Sequence, residues 1–132
     1  MSLKVGDTYN LKFTIDSKTF NGFIELFDDK NPLHTDTAFA VANGFEGRVM
    51  HGNIMNGFIS YFIGECLPIK EVIIHSQEIK FKNPVYLNDE LDFKATILAV
   101  FESVNTVEFK YYFKNKALKT VAKGKIQIGV LK

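Results

Sequence analysis

A chain of 132 residues with 46% hydrophobic and 23% charged content has the makeup of an ordinary globular protein, and its length predicts one domain over residues 1–132. Sixteen basic and fifteen acidic residues leave a net charge of +1, which gives no electrostatic case for nucleic acid or an anionic membrane as partner. Cys66 is the only cysteine, which excludes an intrachain disulfide and a cysteine-based metal site, and its apolar neighbours suit a buried structural thiol.

In chain order, the first seven residues lack the apolar core of a signal peptide, and no run approaches the ~18 apolar residues of a membrane span. The expected compartment is the cytoplasm. Tyr9, Leu11, Phe13 and Ile15 alternate with polar residues, which predicts a half-buried strand. Phe20, Phe23, Ile24 and Phe27 then follow helical spacing, with Asp16 or Ser17 able to cap the helix. Residues 28–34 are expected as a loop, because Asn31 precedes a proline and is pushed out of the helical region. Asp36 can cap a short helix over 37–43, closed by Gly44 in a left-handed conformation.

After an extended connector, residues 52–67 are apolar almost all round, which predicts a helix buried on most sides and ended by Pro68. Everything beyond reads as strand: an extended segment over 72–85 interrupted at Asn83-Pro84, then Leu91 to Phe101 and Val107 to Phe113 with inward odd residues, and Ala122 to Val130 with inward even ones. Turn residues at Asn88-Asp89, Glu102-Ser103 and Asn115 separate them, and short turns make neighbouring strands antiparallel. One strand, a helical middle and four strands describe an α+β fold with a curved sheet around the buried helix. Lys119, Lys123 and Lys125 fall on alternate positions near the C-terminus, where Lys132 adds another charge; a solvated strand face is the plain reading. A chain this short has little room for a deep pocket beside its core, so a ligand site is expected near a subunit interface.

The chemistry concentrates in Asp29-Lys30-Asn31-Pro32-Leu33-His34. A carboxylate and an imidazole on a proline-stiffened segment are the raw material for activating water. Taken singly, Asp29 and Asn31 could be turn residues and His34 a packed loop histidine. His51-Gly52 at the start of the apolar helix supplies a second histidine and a glycine. The three histidines, widely spaced and without acidic neighbours in a ligand pattern, do not argue for a metal, and His75 has no partner pattern.

The string from Phe27 to Asp36, followed by Val49-Met50-His51-Gly52, resembles the hydratase signature of the MaoC-like hot-dog proteins. Phe81-Lys82-Asn83-Pro84-Val85 and Asn88-Asp89-Glu90-Leu91 extend the resemblance over essentially the whole chain, and the single-domain R-specific enoyl-CoA hydratases are similar in length. The resemblance implies a hot-dog fold of about five antiparallel strands around a long central helix. It implies reversible hydration of trans-2-enoyl thioesters of CoA or acyl carrier protein, with no cofactor or metal, in a homodimer whose acyl tunnel lies near the interface. Asp29 and His34 would hold the water as base and acid, and the Gly52 N–H would face the thioester carbonyl. Ser60 would hydrogen-bond the catalytic carboxylate, Asn31 would hold the loop, and His51 would make a structural hydrogen bond. Phe58 and Phe62 suit a tunnel or a core equally well.

Two departures from the family pattern stand beside the site. Asp28 replaces a common glycine and is expected to face solvent; Asn53 replaces an apolar residue and bears on substrate choice. A hot-dog acyl thioesterase, or a non-catalytic acyl-binding or dimerisation domain, are the alternatives on the same fold.

Overall fold

Strand β1 (Thr8–Thr14) turns Tyr9, Leu11 and Phe13 toward the interior, as its period-two pattern requires. In the computed structural model, which describes residues 2–131, it forms one edge of a five-stranded antiparallel sheet; Met1 and Lys132 lie outside the described residues. The order is β1, β3 (Glu90–Phe101), β4 (Thr106–Lys114), β5 (Thr120–Val130), β2 (Val72–Phe81). β2 and β3, although consecutive, do not pair. Residues 82–89 carry the chain from one edge of the sheet toward the other, so the expectation of a simple run of neighbours fails there.

Helix α1 (Ser17–Phe27) starts at Asp16, whose carboxylate accepts the Thr19 N–H, and stops at Asp28 in the left-handed region (φ 59°). Two short helices follow: α2 (Pro32–Thr35) and α3 (Thr37–Ala42), the latter capped by Asp36 and followed by Gly44 at φ +91°. α2 lies within the predicted loop. Pro32 occupies its first position, where a missing N–H and a fixed φ cost nothing, so the proline that bars helix at Asn31 starts one immediately afterwards.

The central helix α4 (Ile54–Tyr61) runs into a π-helical turn, Phe62–Cys66, so the predicted continuous helix is regular only in its first half. Met55, Ile59 and Phe62 are fully buried against the sheet, each burial contributing roughly 1.5–3 kcal/mol. Phe13 stacks on Phe58 (centroids 4.4 Å apart, planes at 9°), tying β1 to the same helix. The other side of α4 is open: Asn53, Gly57, Ser60, Tyr61 and Gly64 are exposed, which corrects the expectation of burial on most sides. Cys66 is free and half-buried at the end of this segment.

Buried Leu91, Phe93, Ala95 and Ile97 alternate along β3 until the register shifts between Ile97 and Ala99. Beyond that irregularity the alternation slips by one residue. Val100 packs on the core and Phe101, expected inside, is 46% exposed. β4 and β5 turn the expected residues inward. The sheet curves around the central helix, the hot-dog arrangement. No helix among the described residues is long and apolar enough to cross a membrane.

Candidate active site

Between α1 and α2 the backbone is held by short-range bonds. Asp29 Oδ1 accepts the Asn31 N–H (3.3 Å), and Asn31 Oδ1 accepts the Leu33 N–H (2.9 Å), capping α2. The Thr35 hydroxyl reaches back to the carbonyls of Lys30 and Asn31, 3.2 Å from each. This webbing sets the direction in which Asp29 and His34 leave the backbone. Asp28 points outward beside Lys30 (3.1 Å), its side chain 82% exposed, as its expected solvent-facing role requires.

The extended segment before α4 fixes the imidazole. Val49 donates its N–H to Leu33 O (3.1 Å) and accepts from His34 Nδ1–H (2.7 Å). Val49 bridges Tyr86, and Met50 N–H donates to Val85 O (2.8 Å), which anchors the segment to the connection between β2 and β3. With Nδ1–H committed to a carbonyl, Nε2 of the neutral ring carries its lone pair and faces Asp29. His34 Nε2 lies 3.9 Å from Asp29 Oδ2. That is too long for a direct hydrogen bond and suits two groups sharing one water.

His51 is buried beneath them. Its Nε2–H donates to the Asp29 backbone carbonyl (2.9 Å), and its ring lies 3.9 Å from that of His34 and 4.5 Å from that of Phe23. Among the described residues, His51 Nδ1 is buried and has no hydrogen-bond partner. The expected structural hydrogen bond is therefore present, directed at the backbone of Asp29.

Gly52 opens the turn before α4, and its N–H donates to no backbone carbonyl. A Cβ there would come within 2.7 Å of the Phe81 ring, so any larger residue fits only if that half-exposed ring shifts. Phe81, missed in the sequence as a site residue, forms a wall over Gly52 while itself 51% exposed.

Two cavities meet at Asn53. The larger, about 800 Å³, runs past Asp29 between α1 and α4 and is walled by Phe23, Leu26, Phe27, Ile54 and Phe58. The smaller, about 200 Å³, lies between His34, Gly52, Phe81 and Pro84. A pocket of this size was not expected in so short a chain. It exists because α1 stands off α4, leaving Leu26 and Phe27 exposed at its rim. Phe58 lines it, whereas Phe62 belongs to the core. Asn53 Oδ1 accepts from Asn56 Nδ2 (2.8 Å), and Asn56 in turn accepts from Gln77 Nε2, placing a polar chain along an otherwise apolar wall.

The fold thus gathers Asp29, His34, His51 and Gly52, with Asn31 shaping the loop. Ser60 is not among them. It is exposed on α4, roughly 9 Å along the axis from Ile54 at ~1.5 Å per residue, and the bonding expected between it and the Asp29 carboxylate is absent. Asp29, His34 and His51 each offer a ligand atom, all within 4.8 Å of one another, a proximity their spacing in sequence does not suggest. The Nε2–H of His51 is already committed to a carbonyl, which leaves one imidazole nitrogen and one carboxylate facing the same point. That donor pair suits a water better than a cation.

The sequence model of the MaoC like domain family matches residues 4–117. The chain is 35% identical over 101 residues to the (R)-specific enoyl-CoA hydratase of Aeromonas caviae, a match covering 76% of this chain and 75% of that protein. It is 31% identical over 109 residues to a mitochondrial 3-hydroxyacyl-[acyl-carrier-protein] dehydratase of Arabidopsis thaliana, covering 83% of this chain and 64% of that protein. Among solved structures it is similar to an (R)-hydratase from A. caviae involved in PHA biosynthesis, with TM-score 0.89, 28% identity and 98% of each chain covered. With the family match spanning most of its length and the same sheet wrapped on the same helix, the chain belongs to the MaoC-like domain family of hot-dog proteins.

Proposed function

We propose that this chain adds water reversibly to trans-2-enoyl thioesters to give (R)-3-hydroxyacyl thioesters, with Asp29 and His34 activating the water. The observation that carries the reading is the 3.9 Å gap between Asp29 Oδ2 and His34 Nε2, opening beside an apolar cavity and the free N–H of Gly52. Similarity to (R)-specific hydratases and 3-hydroxyacyl dehydratases supports the substrate class and both directions of reaction.

In this reading the acyl chain lies along Phe23, Ile54 and Phe58, and the thioester carbonyl faces Gly52. As the water oxygen bonds the β-carbon, the Asp29–His34 pair takes its proton, and the π electrons move toward the carbonyl oxygen. The Gly52 N–H, before the central helix, meets that developing charge. The pair then returns a proton to the α-carbon, so one water is added and nothing is oxidised or reduced. The reverse sequence dehydrates the hydroxyacyl thioester. No cofactor is required by this balance.

The reading extends to one domain over residues 1–132, active in the cytoplasm as a homodimer. The support for the dimer is the open side of α4 beside β2, an edge strand whose outer backbone groups have no neighbour in the sheet. Hydration of crotonyl-CoA, followed by loss of enoyl absorbance, tests the activity, with thiol release measured in the same sample. Consumption without thiol release is expected. Thiol release alone would replace the reading by a thioesterase, and no turnover at all by an acyl-binding domain.

A further inference from the structure

The convex side of the sheet, opposite the central helix, carries a charge distribution that the net charge of +1 conceals. A depression of about 720 Å³ there is lined by Lys80, Lys94, Lys110, Lys114, Lys123 and Lys125, and by one acidic residue, Glu78. The register sets Lys110 directly opposite Lys125 on β4 and β5, and Lys123 directly opposite Lys80 on β5 and β2. Like charges facing each other across strands destabilise a sheet. Lys125 also faces Glu78 on β2 and Lys114 faces Asp92 on β3, but Lys80, Lys94, Lys110 and Lys123 have no acidic residue directly opposite them. Among the described residues none of the six lysines forms an ion pair, although Lys12, Lys30, Lys70 and Lys116 all do. Tyr112 lies in the middle with Lys114 Nζ over its ring, 4.6 Å from the centroid.

We propose that this face binds a multiply charged, phosphate-bearing anion. The six cations present compact ammonium groups, which meet phosphate oxygens from any direction. The depression has the volume of a small-molecule site (~300–1,000 Å³). From β3 to β2 the ammonium groups spread across three strand spacings, about 14 Å at ~4.8 Å each, the reach of several linked phosphates. A polyanion there neutralises both facing pairs at once, including Lys80–Lys123, in which neither lysine has an acidic residue opposite it. The site is separate from Asp29 and His34, and the binding titration stands apart from the hydratase reading, on which only the two arms that read a KM rest.

The test is titration calorimetry at low ionic strength with sodium tripolyphosphate, on the wild type, on Lys110→Gln/Lys125→Gln and on the charge-keeping Lys110→Arg/Lys125→Arg. Saturable binding at one site per chain, weakened at least tenfold in the glutamine variant and retained in the arginine variant, is the expected result. The glutamine variant without anion should melt no lower than the wild type, since it loses a repulsion. Absence of saturable binding, or equal binding by the glutamine variant, overturns the proposal. Two further arms identify the source of the phosphate. Displacement of tripolyphosphate by ATP with an unchanged KM for crotonyl-CoA assigns the site to a free nucleotide. A several-fold rise in that KM in the glutamine variant, at unchanged kcat, assigns it to the carrier end of the thioester.

Discussion

His51 donates its Nε2–H to the main-chain carbonyl of Asp29, 2.9 Å away, so a buried imidazole holds the backbone of a residue whose carboxylate stays half-exposed at the cavity. The two histidines of the site therefore do different work. His34 presents a free nitrogen toward the reacting region, and His51 fixes the strand of loop from which Asp29 extends.

Asp29→Asn and His34→Ala should each lower kcat for crotonyl-CoA hydration by about 10²–10⁴, the usual contribution of a positioned acid or base. Circular dichroism should be unchanged, because neither side chain is part of the core cluster. Dialysis against EDTA should leave wild-type activity intact, since the Nε2–H of His51 is bonded to a carbonyl and only two donors face the reacting point. Loss of activity that zinc restores would indicate a metal site instead.

His51→Ala should destabilise the fold by about 1–3 kcal/mol, through the cavity left among Phe20, Phe23 and the His34 ring and the unpaired Asp29 carbonyl. A melting curve several degrees below wild type checks it. kcat should fall as well, by less than in Asp29→Asn, because the Asp29 carboxylate remains but its backbone loses its tether.

Gly52→Ala should lower kcat/KM severalfold, since its Cβ would meet the Phe81 ring at 2.7 Å and either that ring or the N–H must move. Phe81→Ala, in the same chain, should recover much of the loss. A double-mutant cycle in kcat/KM reads that coupling directly; strictly additive effects would show that the ring and the glycine act independently.

Burial raises the Tyr111 hydroxyl well above the ordinary tyrosine range, and Glu78 adds to the effect. This hydroxyl donates to the Glu78 carbonyl (2.8 Å), crossing the space beside Gly124. A group whose folded pKa exceeds its unfolded value contributes stability that is present at lower pH and lost as pH rises past the unfolded value, ~10 for tyrosine. The melting temperature should therefore decline between about pH 9.5 and pH 11.5, and Tyr111→Phe should show a shallower decline over that window.

The strands and the first helix were legible because their patterns depend on local periodicity: Tyr9, Leu11 and Phe13, or Phe109, Tyr111 and Phe113, have only one way to face a core. Asp29, Asn31, His34, His51 and Gly52 were legible through their spacing and their resemblance to a family signature. What escaped detection depends on contacts distant in sequence. Phe81 meets Gly52 only because β2 ends beside the start of α4, and the slip at Leu98 that exposes Phe101 arises from pairing with β4. Spacing along the chain does not say which side of α4 Ser60 takes, and it lies on the exposed one. The lysines of β3, β4 and β5 looked like solvated faces one strand at a time. Only the register reveals that two pairs of them stand opposite each other.

Val49 sits at the junction of this machinery through its main chain alone. Its N–H binds Leu33, its carbonyl receives His34, and its bridge to Tyr86 ties both to the connection between β2 and β3. The side chain takes no part in any of these bonds. Proline at this position would delete the N–H bound to Leu33 O, and with it the bond that holds the His34 turn to the segment before α4.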